Sequence, residues 1–370
     1  MKTKIKCRES GSLILPIYCL FLLSYRKSLV YSEPRRYPEA SDRETKLVKG
    51  TSKEASPPSN RARELRAELA RKIASFMGSE ENRATDIPGL RLYRRVAPTA
   101  PCSMTYEPCV TLMVQGRKRV ELGRTTFIYG ESQYLVTSVD LPIVSQIIEA
   151  SRETPCIAMS LKLEMPMIRE LLSREEIQVA EAPADSPAMA TGQATVEFLS
   201  ACCRLVDLLK SPQDIPFLSG LIQREIIYRI LRGPEGARLR AIATLGDQSH
   251  RTAKAIAWIR ENFAKPLRVE DLAQTAGMSV STLHHHFRAL TAMSPLQYQK
   301  QLRLQAARGR MLVDGLDAAS AAFEVGYESA SQFNREYSRL FGQPPKRDVQ
   351  SLRSPGALPL ESVSHRQTAM

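Results

Sequence analysis

Apolar residues recur along this chain at several spacings, and the changes of spacing divide it into regions. Leu65, Leu69, Ile73 and Phe76 share one face at helical period, which predicts a helix over Arg61 to Phe76. Short runs rich in Val, Ile, Leu, Thr and Tyr follow at Cys109 to Gln115, Lys118 to Leu122, Thr125 to Tyr129, Gln133 to Ser138, Ile143 to Glu149 and Ile157 to Leu163. Turn residues separate them: Gly116, Gly123, Gly130 with Glu131, Asp140 with Pro142, and Thr154 with Pro155. Strands at this spacing predict an antiparallel sandwich or barrel of jelly-roll type, whose mouth could hold a small ligand. Tyr106, Met113, Tyr129 and Tyr134 are the candidates to line such a pocket. Helical period returns over Met165 to Leu172, Ala194 to Leu209 and Pro216 to Leu231, and Gly233 to Gly236 closes the region. The middle helix carries Phe198, Leu199, Cys202, Leu205, Val206 and Leu209, a face wide enough to pack on the barrel and also on a second subunit.

Further along, one pattern is written twice. Ala273, Gly277, Leu283 and Phe287 are echoed about 50 residues later by Ala322, Gly326, Phe333 and Tyr337. A small residue four before a glycine, then an apolar i, i+4 pair, suits two helices crossing tightly: the glycine takes a positive φ and the pair anchors the second helix. Two copies joined by a long helical pattern predict a double helix-turn-helix.

The first copy is preceded by a helix over Thr252 to Phe263, with Ile256, Trp258, Ile259 and Phe263 inward, and Lys265 and Pro266 stop it. Glu270 to Thr275 forms the supporting helix, and Ser279 is the expected N-cap of the next, which runs to Leu290. Leu283, Phe287 and Leu290 face inward on it, which leaves Ser281, His284, His285 and Arg288 as a polar stripe. Adjacent helical residues point about 100° apart, so His284 to His286 cannot converge on a metal, and no metal site or cofactor is expected. Ser294 and Pro295 open a connecting helix over Leu296 to Met311, with Leu302, Ala306 and Leu312 inward and Arg303, Arg308 and Arg310 outward. Gly309 should weaken that helix by about 1 kcal/mol relative to alanine. In the second copy, Asp317 to Phe341, Phe333, Tyr337 and Leu340 are inward, while Ser331, Asn334, Arg335 and Ser338 form the exposed face with Gln332 at its edge. Arg335 is the best candidate for bidentate guanine recognition, and Arg288 suits phosphate.

Charge supports that reading. Of the net +13, residues 1–60 carry +6 (12 basic, 6 acidic) and residues 251–347 carry +6 (14 basic, 8 acidic), whereas residues 61–250 carry only +1 (24 against 23). The basic helical region is therefore the expected phosphate-facing surface.

Seven cysteines, an odd number without a CxxC pair, make neither a disulfide framework nor a zinc ribbon, so reduced thiols in a cytoplasmic protein are expected. The N-terminal run Leu13 to Leu23 follows basic residues as in a signal peptide, yet it is interrupted by Pro16 and too short to span a bilayer. Residues 1–60 are expected to be a disordered or dispensable leader, with no membrane association.

The residues Ser279, Leu283, Phe287, Ser294, Pro295, Tyr298, Arg303, Ala306, Gly326, Tyr327, Ser329, Phe333, Arg335, Tyr337, Phe341, Gly342, Pro344 and Pro345 resemble the AraC/XylS family of bacterial transcription regulators. The resemblance is dense over residues 250–350, and the region Tyr106 to Val139 is similar to the N-terminal regulatory domain of one subgroup. It implies that Ser281, His284 and His285 read one major groove and that Ser331, Gln332, Asn334 and Arg335 read the next. Val280 and Ala330 depart from the polar residues of many relatives.

The expected architecture is α+β. It comprises a leader over 1–60, a cupin-like β-barrel regulatory domain over 61–235, an all-α double helix-turn-helix over 248–350 and a flexible tail over 351–370. The expected protein is a sequence-specific regulator of double-stranded DNA, associated with the nucleoid and controlled by a small effector. RNA polymerase is a candidate partner, and a homodimer would form through Ala194 to Leu209. A nonspecific architectural binder is the alternative. A barrel enzyme is less favoured, because no histidine occurs before residue 250 and no catalytic residue is assigned.

Overall fold

The computed structural model describes residues 46–49, 59–173 and 186–353 of the 370-residue chain. The expected leader, apart from 46–49 and 59–60, lies outside the described residues, as do Cys7, Cys19 and the tail beyond 353.

Strand β1 (Lys46–Lys49) precedes helix α1 (Asn60–Met77), which the Ser59 hydroxyl caps by accepting from the Ala62 amide at 3.2 Å. Strands β2 (Asn82–Ala84), β3 (Leu90–Arg95), β4 (Cys102–Tyr106), β5 (Cys109–Gln115) and β6 (Arg117–Leu122) come next. They are followed by β7 (Thr125–Tyr129), β8 (Gln133–Thr137), β9 (Leu141–Glu149) and β10 (Cys156–Lys162). After α2 (Met165–Leu172) the chain adds β11 (Met189–Gln193) and then helices α3 (Val196–Asp207), α4 (Ile215–Arg232) and α5 (Ala237–Ala243).

Two sheets result, ordered β1-β7-β6-β9-β4 and β11-β8-β5-β10-β3-β2. All pairings are antiparallel except β1 with β7. The six expected strands are present, and β1, β2, β3, β4 and β11 are additional, β1 arising within the segment expected to be a leader. Their sequences hide them: β3 reads LRLYRR and β4 CSMTY, with too few branched residues to mark a strand. Pro142, expected in a turn, instead lies within β9 opposite Thr105, where the β6 pairing reaches only as far as Val144. No strand on that side needs the missing N–H.

Alternation along the six-stranded sheet divides the core. Leu112, Val114, Val136, Met159 and Leu161 face helices α1, α3 and α4, whereas Met113, Leu135 and Ala158 face the other sheet. Tyr134 belongs to the first set and stacks on Phe198 with ring centroids 5.0 Å apart. It lies outside the barrel interior, on the face opposite Met113. Helix α3 spends its whole apolar face here, since Phe198, Leu199, Cys202, Leu205 and Val206 are all buried within the chain. The apolar face of the Ala194 to Leu209 segment, expected to serve a second subunit as well, is consequently spent within the chain, and its helix starts only at Val196 because Thr195 is the N-cap.

The remaining elements are helical: α6 (Gln248–Asn262), α7 (Val269–Ala276), α8 (Val280–Thr291), α9 (Pro295–Val313), α10 (Ala318–Glu324), α11 (Ala330–Phe341) and α12 (Pro345–Arg353). Residues 351–353, expected in a tail, form the last turn of α12, and α9 continues unbroken through Gly309. The 233–236 segment does not end the first region cleanly, because it leads into α5, whose Leu239 and Ile242 are buried. Barrel residues and the core of the first helical unit fall in one apolar cluster.

Candidate nucleic-acid interface

The two helical units are built alike. In the first, the Ser279 hydroxyl accepts from the Thr282 amide at 3.2 Å, and Gly277 occupies the left-handed region at φ 63°. In the second, the Ser329 hydroxyl accepts from the Gln332 amide at 3.3 Å, and Gly326 has φ 89°. The amides after the glycines return to the supporting helices: Met278 to the Ala273 carbonyl at 2.9 Å and Tyr327 to the Ala322 carbonyl at 3.0 Å. Leu283, Phe287 and Leu290 are buried under α8, as are Phe333, Tyr337 and Phe341 under α11. Leu340 is only half-buried, and Phe341 fills the place expected for it.

These anchors leave the opposite faces outward. Ser281, His284, His285 and Arg288 are exposed on α8, and Ser331, Gln332, Asn334 and Arg335 on α11. Each set occupies a single stripe that begins near a helix N-terminus, where unpaired amides and the helix dipole also favour an anion, and Arg288 continues the first into the last turn of α8. Gln332 is partly engaged, since its amide donates to Glu336 at 3.4 Å. His286 is half-buried with its ring edge-on to His285, 5.1 Å between centroids. Among the described residues no group of three or more His, Cys, Asp or Glu is placed to hold a metal.

Arg303 fixes the units to each other. Its guanidinium donates to the carbonyls of Phe263 at 2.7 Å, Ala264 at 3.2 Å, Lys265 at 2.9 Å and Gly326 at 2.9 Å. Expected outward, it is half-buried and reads the end of α6 together with the turn of the second unit. Gly326 must be glycine on two counts: its φ is positive, and a Cβ would collide with the Ala264 carbonyl oxygen.

Arg308, also expected outward, is buried. Its Nε and Nη2 donate to the two Asp348 oxygens at 2.8 and 2.9 Å, and the Tyr337 hydroxyl donates to the same carboxylate at 2.7 Å. Periodicity pointed Arg308 away from the core of α9, but α12 packs over that side, and a buried arginine persists when both its planar edge and its charge are matched. Leu304, Ala307 and Met311 supply the buried face of α9 here, with Ala306 and Leu312 at its margin.

In the barrel, a cavity of about 650 Å³ opens between the sheets and is lined by Arg91, Tyr93, Thr105, Tyr106, Lys118 and Ser160 among others. Of the four residues expected to line a pocket, only Tyr106 does so. Met113 is wholly buried with the Cys156 thiol donating to its sulfur at 3.5 Å, and Tyr134 lies on the helix side. Tyr129 lies directly opposite Lys118 across the β6–β7 pair, wholly buried, and its hydroxyl has no hydrogen-bond partner. Burial pushes that hydroxyl's pKa well up.

Residues 86–238 match the family profile described as AraC-type transcriptional regulator N-terminus, and residues 272–350 match a helix-turn-helix domain profile. The HTH-type transcriptional regulator ArgR of Pseudomonas aeruginosa is 26% identical over 132 residues, covering 35% of this chain and 40% of ArgR. The HTH-type transcriptional activator RhaS of Escherichia fergusonii is 30% identical over 132 residues, covering 35% of this chain and 46% of RhaS. The match thus spans less than half the length of either relative. Among solved structures, ToxT of Vibrio cholerae superposes with a TM-score of 0.46 at 9% identity over 73% of this chain and 98% of ToxT.

Proposed function

From the premise that the chain belongs to the AraC/XylS family of transcription regulators, we propose that it binds double-stranded DNA sequence-specifically through α8 and α11 and regulates transcription. The observation that carries this reading is the pair of capped helices whose outward stripes are polar while their inward faces are anchored by Phe287 and Tyr337. In the proposed complex the two helices enter successive major grooves about 34 Å apart on one face of the duplex. Ser281, His284 and His285 read base edges in one groove, Ser331, Gln332, Asn334 and Arg335 in the other, and Arg288 holds phosphate. Arg335 is suited to a guanine because its fork can meet O6 and N7 together.

We further propose that residues 61–235 form a regulatory unit, residues 248–350 the DNA-binding unit, and that the barrel cavity takes a small effector. Arg91 and Lys118 at its wall favour a ligand that carries negative charge. Such a regulator would work in the cytoplasm on the nucleoid, with RNA polymerase as a partner. No helix among the described residues is long and apolar enough to cross a membrane.

Selection of sites from a random duplex pool by the full chain, at two salt concentrations, tests the DNA reading. The expected product is an asymmetric motif with two blocks about 10 base pairs apart. Binding that falls steeply with salt and enriches no motif would instead favour the architectural reading.

A further inference from the structure

Eight large apolar side chains are exposed among the described residues, and one of them, Val280 at 38%, lies on the two helices assigned to the major grooves. It is the first residue of α8, directly after the Ser279 cap. Valine there gives the helix no advantage in propensity over serine or threonine, and its side chain can neither donate nor accept a hydrogen bond. The polar groups around it are engaged with one another. The Ser279 hydroxyl accepts from the Thr282 amide at 3.2 Å and shares hydrogen bonds with the hydroxyls of Thr282 at 2.7 Å and Ser281 at 3.1 Å. The first turn of α8 thus spends much of its hydrogen-bonding capacity on its own cap, and what it adds outward is a pair of methyl groups. Val280, His284 and Arg288 follow one another at i, i+4 and i+8 along one row of the helix. In the proposed complex that row runs from base edges at its N-terminal end to phosphate at Arg288, and Val280 stands at the base end.

We propose that Val280 is a specificity-determining residue that reads the 5-methyl group of a thymine in the groove entered by α8. The inference rests on the assignment of α8 to a major groove. The thymine methyl is the one methyl group on the base edges there, whose other features are hydrogen-bond donors and acceptors. Valine against thymine buries methyl on methyl. Against adenine, guanine or cytosine it would strip water from a polar edge and return no hydrogen bond, so discrimination comes from the loss as well as from the gain. Ala330 holds the same place on α11, first after the Ser329 cap, but it is half-buried and carries a single methyl group. The two blocks of the site are therefore unequal, with the stronger demand for thymine in the block read by α8.

Deoxyuridine scanning of the selected duplex, with the full chain, tests it. Each thymine of the sequence enriched from the random pool is replaced in turn by deoxyuridine, which removes the methyl group and leaves base pairing intact. One position is expected at which the replacement weakens binding about fourfold, the scale of one buried methyl group. Val280→Ser is expected to bind the thymine and deoxyuridine duplexes at that position alike, and Val280→Ile to keep the difference, both with an unchanged melting temperature because the side chain is exposed. Binding indifferent to deoxyuridine at every thymine, a selected site without thymine, or a sensitivity that survives Val280→Ser would overturn the proposal and leave sequence-specific binding standing. If the pool enriched no motif, the DNA reading itself would fall, and this inference with it.

Discussion

Arg260 and Asp140 meet across 2.7 Å, joining the first helix of the helical region to the turn that enters β9. The Asp140 carbonyl oxygen also accepts from the Tyr298 hydroxyl at 2.8 Å, so one barrel residue takes bonds from α6 and α9 together. The Ala188 amide donates to the Leu290 carbonyl at 3.1 Å at the end of α8. The barrel is therefore fastened to the scaffold of the first unit, while the outward stripe of α8 stays clear.

Because the two bonds share Asp140, they should act as a unit. Arg260→Ala and Tyr298→Phe are each expected to lower the unfolding free energy by about 1–2 kcal/mol in urea titrations, and the double substitution by less than the sum. Strict additivity would show that the contacts are independent.

The Arg308 to Asp348 pair should be costly to break. Arg308→Leu leaves a buried carboxylate with Tyr337 as its main remaining partner, and a loss of about 3–5 kcal/mol is expected. A change below 1 kcal/mol in the same titration would mean that water reaches the site.

Arg335 and Arg288 should separate in binding assays. Arg335→Ala is expected to cost about 1–3 kcal/mol on the selected site and to relax one base position. Arg288→Ala should weaken all sequences alike and reduce the salt slope by about 1. Exchange of these two signatures would reverse the assignments.

Tyr129→Phe removes a buried hydroxyl that has no partner, so the protein is expected to melt at a higher temperature. A lower melting temperature would place an ordered water on that hydroxyl.

Alkaline pH should destabilise the fold. Burial raises the Tyr129, Tyr298 and Tyr337 hydroxyls above the ordinary value near 10, so the folded state keeps protons that the unfolded chain releases. Stability is then fully present below about pH 10 and declines as pH rises above it, by about 1.4 kcal/mol per unit for each such tyrosine. Absorbance at the tyrosinate band is expected to rise for the exposed tyrosines first and for these three only as the protein unfolds. Early, reversible ionisation of all tyrosines would contradict their burial.

The duplicated unit was legible because its demands are local: an N-cap serine, a glycine turn and an apolar i, i+4 pair recur at the right spacing. The stripes on α8 and α11 followed from which residues were left over. Long-range packing was not legible. Arg308 and Arg303 look like solvated positions on an isolated helix, and only α12 and the end of α6 turn them inward. The pocket assignment failed for a related reason. Tyr134 and Met113 sit on adjacent strands, but their side chains point to opposite faces of one sheet, and no count of aromatics reveals which face is inside.

The four carbonyls gathered by Arg303 act as a ruler. In the proposed complex, a rigid spacing between α8 and α11 means that an operator can tolerate base changes more readily than changes in length. One inserted base pair between the half-sites would turn the second groove by about 35° and shift it by about 3.4 Å. The protein could follow only by surrendering that guanidinium or by bending the duplex. Target promoters should accordingly drift in letters while holding their count.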